Sequence, residues 1–339
     1  MTQNQPIHTI AIIGAGGWGT ALSIVLAKKV NTIRLWVYEP DLCATIATQR
    51  ANPIYLPGFL IPPNVTPTNN IAEAVTGSDL VILVVPSGHL REVVLKIAPS
   101  IKQNQIFLSA TKGLERRTHL RMSEVIAEAL PLDLHPRIAV LSGPSFAKEV
   151  ASELPAAVVV ASANLDLASL LQQNLSSSSL RLYTNTDVTG VELGGALKNI
   201  IAIGAGLCEG LGLGSNAIAA LITRGLAEMT RLACACGARR DTLSGLSGMG
   251  DLVLTCTGAL SRNHWVGLEL GRGRTLNEIL ASMSMVAEGI ETTAAARDLA
   301  RQKNVTMSIA DQIYSVLYEN QPARDAVSKL MERTLKAEF

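Results

Sequence analysis

The chain has 339 residues, enough for two domains with a core each, and a formal net charge of +1. Its 29 Lys and Arg and 28 Asp and Glu are spread rather than massed, which argues against nucleic acid or an anionic membrane as a partner. Five cysteines with no CxxC pair and five histidines in no cluster argue against disulfides and against a metal site.

The stretch MTQNQPIHTIAIIGAG has neither the basic start nor the unbroken apolar core of a secretory signal, and no run of about 18 apolar residues follows. A cytoplasmic location without membrane insertion is expected. From Ile7 to Ile13 apolar, β-branched residues predict a strand; Gly14-Ala15-Gly16-Gly17-Trp18-Gly19 follows, and a helical pattern runs from Thr20 to about Lys29. Strand, glycine turn and helix in this order read as a dinucleotide site. Gly14 permits the tight turn, Gly16 lets a pyrophosphate approach the backbone, and Gly19 lets the helix pack close to the strand. Free N–H groups and the dipole at the helix start then hold the phosphates. A second strand, Thr32 to Tyr38, ends at Glu39, where an acid accepts the adenosine ribose hydroxyls; this favours NAD over NADP, with Arg34 either a cation that could receive a 2′-phosphate or else a solvated strand residue.

Asp79 to Val85 (DLVILVV) predicts a fully buried parallel strand that meets the cofactor at Pro86-Ser87. Ile106 to Ala110 is the next strand, and Lys112, just past its carboxyl end, points at the ligand crevice. Arg137 to Ser142, leading into Gly143-Pro144-Ser145-Phe146-Ala147, and Ala156 to Ala161 are further strands; Ser176 to Ser179 is a polar loop. After about Asn185 the β pattern stops. Helices are predicted at Val191 to Leu207, Asn216 to Cys236, Asp241 to Leu246, Asn263 to Leu270, Thr275 to Met283, Thr292 to Lys303, Met307 to Tyr318 and Pro322 to Lys336. The fold class is therefore α/β: a Rossmann-type doubly wound sheet over residues 1–187 followed by an all-helical domain over 188–339, with the site in the cleft between them.

Lys198 stands in the middle of the apolar helix VELGGALKNIIAIGAGL. Gly194, Gly195, Ile201 and Ala202 share its face, so no carboxylate lies three or four positions away to pair with it. A lysine desolvated in this way has its pKa pushed below about 10.4, and the flanking glycines suggest that backbone or a ligand comes close. The stem could instead carry the ammonium to the surface. Asp251, in the glycine-rich loop Ser247-Gly248-Met249-Gly250-Asp251 with Thr255 four residues on, is a partner from elsewhere in the chain, or else a helix cap. Ser261-Arg262-Asn263 ahead of a helix is a phosphate-binding arrangement, or else an exposed turn.

GAGGWGTAL, ATKGLE, SGPSFAKEV, GALKNIIAIGAGL, TRGLAEM, GDLVLTCT, SRN and VAEGIETT, in this order along nearly the whole chain, resemble the bacterial NAD(P)-dependent sn-glycerol-3-phosphate dehydrogenases. The resemblance implies an oxidoreductase that reduces dihydroxyacetone phosphate to glycerol 3-phosphate with NADH or NADPH, supplying phospholipid synthesis. It implies Lys198 as proton donor and acceptor at the C2 oxygen, with Asp251 and Thr255 beside it and Lys112 at the substrate carbonyl and near the cofactor. Gly143, Ser145, Ser261, Arg262 and Asn263 would hold the substrate, Arg262 on its phosphate and near the cofactor, with Asn199 adding a donor. Gly14, Gly16, Gly17, Trp18, Gly19, Ala147, Val286 and Glu288 would contact the dinucleotide. Tyr38 stands where many members carry a basic or His residue beside the adenosine ribose, and Glu39 follows it. A homodimer is expected from the alanine- and leucine-rich helical half. Two rivals remain: a β-hydroxyacid or 6-phosphogluconate type of dehydrogenase, which would tolerate loss of Arg262, and a dinucleotide sensor in which Lys198 is structural.

Overall fold

The computed structural model describes residues 6–102, 105–130, 137–283, 285–335 and 337–338. The first five residues of the N-terminal stretch, His135 and Lys336 lie outside the described residues.

Among the described residues, ten strands lie before the helical part: β1 (Thr9–Ile13), β2 (Thr32–Trp36), β3 (Ala51–Asn52), β4 (Leu56–Leu60), β5 (Val65–Thr68), β6 (Leu80–Leu83), β7 (Ile106–Ser109), β8 (Arg137–Ser142), β9 (Ala156–Ala161) and β10 (Leu180–Asn185). Between them run α1 (Gly17–Leu26), α2 (Pro40–Gln49), α3 (Ile71–Val75), α4 (Leu90–Ile97), α5 (Met122–Ala129), α6 (Ala147–Ala151) and α7 (Leu165–Leu175). Eight strands form one sheet in the order β10-β9-β8-β7-β6-β1-β2-β5, and β3 pairs with β4 as a separate hairpin. All of β6 and β7 is buried, which is why β6 reads as an unbroken apolar run and β7 as one broken only by Ser109. The order reverses at β1, which lies between β2 and β6, so the glycine turn and Pro86-Ser87 face one crevice at the carboxyl ends of the strands.

The sheet departs from a wholly parallel one at a single pairing. β9 runs antiparallel to β8, because the chain doubles back after Ser142 through Gly143 (φ +132°) and the short α6 instead of crossing over. At the edge, β10 has the period-2 pattern of a half-covered strand, with Leu180 and Leu182 inward and Arg181 and Tyr183 outward. Its backbone is closed off by side chains: Leu182 N donates to Ser176 Oγ at 3.3 Å, and Gln172 Nε2 donates to the Leu182 carbonyl at 2.9 Å.

The rest is helical: α8 (Val188–Gly210), α9 (Gly214–Ala235), α10 (Arg240–Leu243), α11 (Asp251–Thr257), α12 (Arg262–Gly271), α13 (Leu276–Ala281), α14 (Glu288–Gln302), α15 (Ser308–Tyr318) and α16 (Ala323–Met331). By length and composition α8 could cross a membrane, but 94% of its apolar window is buried inside the protein, so it is a core helix. Leu197, Ile200, Ile201 and Ile203 of α8 form the centre of the second core, with Leu232, Leu252, Val266 and Ile313 around them. α12 crosses α8 at glycines, since a Cβ on Gly206 would overlap the His264 carbonyl and one on Gly267 the Ile203 carbonyl. The expected loop at Ser247 to Gly250 is instead a π-helical turn over Leu246–Gly250 that runs directly into α11. Packing overrides the poor helix propensity of its glycines: the Ser247 carbonyl seats on α8 where a Cβ at Gly194 would come within 2.6 Å of it.

Candidate active site

Lys198 lies midway along α8, with its side chain buried. Its ammonium donates to Asp251 Oδ1 and to Thr255 Oγ1, the latter at 2.7 Å. Thr255 Oγ1 spends its own hydrogen on the Asp251 carbonyl at 2.6 Å, so towards the lysine it acts as an acceptor. From the nucleotide-binding half, Lys112 Nζ donates to Asp251 Oδ2 at 2.7 Å and to the Gly143 carbonyl at 3.0 Å, with Ser145 Oγ at 3.5 Å. The turn that carries Lys112 is pinned by Thr111 Oγ1, which donates to the Val85 carbonyl at 2.8 Å. Asp251 is 1% exposed and is shared by two ammonium groups, one from each half of the molecule. A lone carboxylate so buried would be costly; two charged donors make it tolerable.

The electrostatics follow from this arrangement. Burial lowers the Lys198 pKa from 10.5 to about 7; Asp251 opposes the shift and Lys112 adds to it. Lys198 therefore holds and releases its proton near neutrality. Two lysines around one carboxylate leave a positive excess for an anionic or polarised ligand. Cys256, nearby on α11, has its thiol pushed up to about 12, chiefly by burial, and is inert as a nucleophile.

A second group of polar side chains stands at the start of α12. Ser261 caps that helix, accepting from His264 N at 3.2 Å. Arg262, in its first turn, is open to solvent, yet the surrounding protein depresses its pKa, with Glu288 acting in the opposite sense. Asn263 Nδ2 donates to Asn199 Oδ1 at 2.9 Å, and Asn263 Oδ1 accepts from Gly289 N at 2.9 Å, tying α12, α8 and α14 together. Glu288 in turn accepts from Ser87 Oγ at 2.6 Å and Ser87 N at 3.3 Å, clasping α14 to the end of β6.

The glycine turn has the form that a pyrophosphate needs. Gly14 has φ +120°, and a Cβ there would sit 2.8 Å from the Val84 carbonyl; a Cβ on Gly19 would overlap the Gly14 carbonyl. Gly16 faces open space, and no side chain caps the first N–H groups of α1. These residues fit a dinucleotide phosphate group. Trp18 packs on the sheet core and Ala147 stands opposite Gly17; β2 stops at Trp36 rather than Tyr38, and Glu39 lies past it at the N-cap of α2. Tyr38 and Val286 are exposed, at 72% and 52%.

The sequence pattern described as the N-terminus of NAD-dependent glycerol-3-phosphate dehydrogenase matches residues 9–168, and the one described as its C-terminus matches residues 187–328. The chain belongs to this family. It is 51% identical over 326 residues to the glycerol-3-phosphate dehydrogenase (NAD(P)+) of Koribacter versatilis, covering 96% of this chain and 97% of that one. It is 52% identical to the protein of the same name from Geobacter metallireducens, covering 97% and 98%. The crystal structure of glycerol-3-phosphate dehydrogenase from Coxiella burnetii superposes with a TM-score of 0.92 at 41% identity, covering 96% of this chain and 99% of that one.

In this family member the fold thus brings Lys112, Gly143, Ser145, Lys198, Asp251 and Thr255 into one cluster, with Ser261, Arg262, Asn263, Asn199 and Glu288 in a second. Two features differ from the sequence reading, and a third, the close approach at the glycines beside Lys198, follows it. Arg34 is not free for a 2′-phosphate: its guanidinium donates to the Glu73 carbonyl at 3.3 Å and to the Thr76 carbonyl, at the end of α3. Asn263 and Ser261 spend hydrogen-bonding groups on the scaffold, as described, and hold α12 in place. The glycines beside Lys198 admit backbone and a side chain, the Ser247 carbonyl at Gly194 and the Ser142 hydroxyl at Gly195.

Sequence reasoning also missed residues that organise the site. Ser87 was expected where its strand meets the cofactor, but not as the partner of Glu288. Glu192, six residues before Lys198 on α8, is buried and accepts from Arg121 Nη1 at 2.7 Å, Ser123 N at 2.8 Å and Ser123 Oγ at 2.6 Å, fastening α8 to α5. A carboxylate in an apolar helix was the available signal for it.

Proposed function

We propose that this chain reduces dihydroxyacetone phosphate to sn-glycerol 3-phosphate with NADH or NADPH, and that Lys198 is the proton donor. The observation that carries the reading is the buried Lys198–Asp251–Lys112 cluster, with the Lys198 pKa at about 7, in a chain of this family. The bound nicotinamide supplies the hydride that reduces C2. Lys198, as the ammonium, gives its proton to the oxygen of C2; in the reverse direction the neutral amine takes it back. Asp251 and Thr255 hold the ammonium in position through the turnover. Lys112 stabilises the developing negative charge on the same oxygen, a type of contribution worth roughly 3–4 kcal/mol in comparable sites. Arg262 at the start of α12 takes the phosphate, where guanidinium and helix dipole act together. Gly14, Gly16 and Gly19 shape the turn that holds the dinucleotide, and Glu288, positioned by Ser87, lies beside Arg262.

The product serves phospholipid synthesis. We read the chain as two domains divided between residues 187 and 188, supported by the end of β10 at Asn185 and the start of α8 at Val188. Five free thiols support a cytoplasmic protein, and the alanine- and leucine-rich helical half supports a homodimer.

The test is optical: oxidation of NADH and NADPH with dihydroxyacetone phosphate as substrate and unphosphorylated dihydroxyacetone as control. Turnover of the phosphorylated ketone alone is the expected result. Consumption of neither dinucleotide, or equal turnover of both ketones, would overturn the assignment.

A further inference from the structure

The Glu39 carboxylate, between β2 and α2, does not hang free: Tyr55 Oη donates to its Oε1 at 2.7 Å. Tyr55 lies in the turn between β3 and β4, and that turn is fastened to the glycine turn. Asn52 Nδ2 donates to the Ala15 carbonyl at 2.8 Å and to Thr20 Oγ1 at 2.9 Å, while Asn52 Oδ1 accepts from Tyr55 N at 3.0 Å. A Cβ on Gly17 would come within 2.9 Å of the Tyr55 carbonyl, so this backbone lies against the start of α1. One short segment thus braces both the phosphate turn and the acid beside it.

The cations near this corner are already engaged. Arg34 is bound to the end of α3, as described. Arg50 donates to the Ile61 carbonyl at 3.2 Å and to the Pro62 carbonyl. Lys96, on the Tyr38 side, is paired with Glu92 at 2.7 Å. What remains between β2 and α2 is an acceptor with a fixed donor behind it.

We infer that Tyr55 is a specificity-determining residue for the dinucleotide: it fixes the Glu39 carboxylate as an acceptor for the adenosine ribose hydroxyls, so that this chain takes NADH in preference to NADPH. The inference rests on the dinucleotide reading of the glycine turn. A carboxylate accepts hydrogen bonds from two hydroxyls but repels a 2′-phosphate carrying about two negative charges. The hydrogen bond to Glu39, with some burial, raises the Tyr55 pKa, so the phenol stays a donor. A carboxylate without that donor could swing away and admit either dinucleotide.

The experiment is fluorescence titration of NADH and NADPH onto the full chain, the Tyr55→Phe variant and the Glu39→Gln variant, with thermal melting to confirm folding. The unaltered chain is expected to bind NADH about tenfold or more tighter than NADPH, roughly the effect of a single charged hydrogen bond. Tyr55→Phe should weaken NADH about five- to tenfold and NADPH less than about twofold. Glu39→Gln should narrow the gap by tightening NADPH. Equal loss of both ligands in Tyr55→Phe, as a merely structural hydroxyl would give, overturns the role of Tyr55 and leaves the dinucleotide site standing. Equal or tighter binding of NADPH by the unaltered chain overturns the preference. Binding of neither dinucleotide brings down the reading of the site itself. If Tyr55→Phe does not fold, the NADH to NADPH ratio in Glu39→Gln decides, and an unchanged ratio refutes the inference.

Discussion

Asp251→Asn tests the central cluster, because it keeps the shape of the side chain and removes the one negative charge between two lysines. Burial and Lys112 both press Lys198 towards the neutral amine, and Asp251 opposes them. A charge pair about 4 Å apart at an effective dielectric of about 20 is worth about 4 kcal/mol, which at about 1.36 kcal/mol per pKa unit sets a ceiling of about three units. Relaxation and water entry reduce this, so the Lys198 pKa is expected to fall by about two units from its value of about 7. At pH 7.5 the ammonium fraction then drops from about a quarter to about 0.3%, and ketone reduction slows about 75-fold. Alcohol oxidation responds in the opposite sense, since it needs the amine: at pH 6 the neutral fraction rises from about 10% to about 90%. The assay is kcat in both directions between about pH 5.5 and 9, with both substrates saturating. If both directions fall by one common factor at every pH, and a limb near 7 persists, Asp251 does not set the Lys198 pKa and the argument fails.

Arg262→Ala should raise the KM for the phosphorylated ketone by about 10- to 100-fold, the worth of a charged hydrogen bond, and change dinucleotide affinity far less; an unchanged KM in steady-state assays would remove the phosphate role. Lys198→Met should abolish turnover yet leave NADH binding by fluorescence titration nearly intact, and near-normal turnover would remove Lys198 from the mechanism. The same variant should change how stability depends on pH. Between about 7 and 10.5 the unfolded lysine holds a proton that the native one has released, so this residue makes stability rise with pH by up to about 1.36 kcal/mol per unit; below about 7 the burial penalty is present in full. Denaturant titrations across that window should show a shallower rise for Lys198→Met, and identical slopes would contradict the lowered pKa.

How much of this was legible depends on how local its cause is. The β1 strand, the glycine turn and the apolar run of β6 are written in consecutive residues, because burial on both faces of a sheet and a positive φ at Gly14 each demand particular residue types. Lys198 was conspicuous for the same reason, as a charge without a local partner. That Asp251 serves two lysines was not legible, since Lys112 lies 139 positions from it in sequence and reaches it only once the two halves fold together. The π-helical turn before α11 was misread because its glycines are poor helix formers, and the contacts that decide it are tertiary: a Cβ on Gly248 would overlap the Leu243 carbonyl, and the Ser247 carbonyl seats on another element, at Gly194. Arg34 followed the half-exposed alternation of its strand, but its reach to the end of α3 is a tertiary fact. β10 was missed because the serines before it signal a loop and its outward positions are polar.

The placement of Lys198 also explains why its helix is built as it is. A lysine with a pKa near 7 needs surroundings that keep water away while holding the ammonium still, and those requirements conflict, since whatever stabilises the charge raises the pKa again. Here the conflict is resolved by sharing. Burial lowers the Lys198 pKa most; Asp251 opposes that shift, and Lys112, bound to the other oxygen of the same carboxylate, adds to it, so that the balance stands at about 7. Because Lys112 comes from the nucleotide-binding half, this balance exists only when that half is docked on the helical one. Both Glu192 with Arg121 and Ser123, and Glu288 with Ser87, are ties of that same docking. The proton chemistry of the cluster is therefore coupled to the relative position of the two halves, which is also what brings a bound dinucleotide to the substrate.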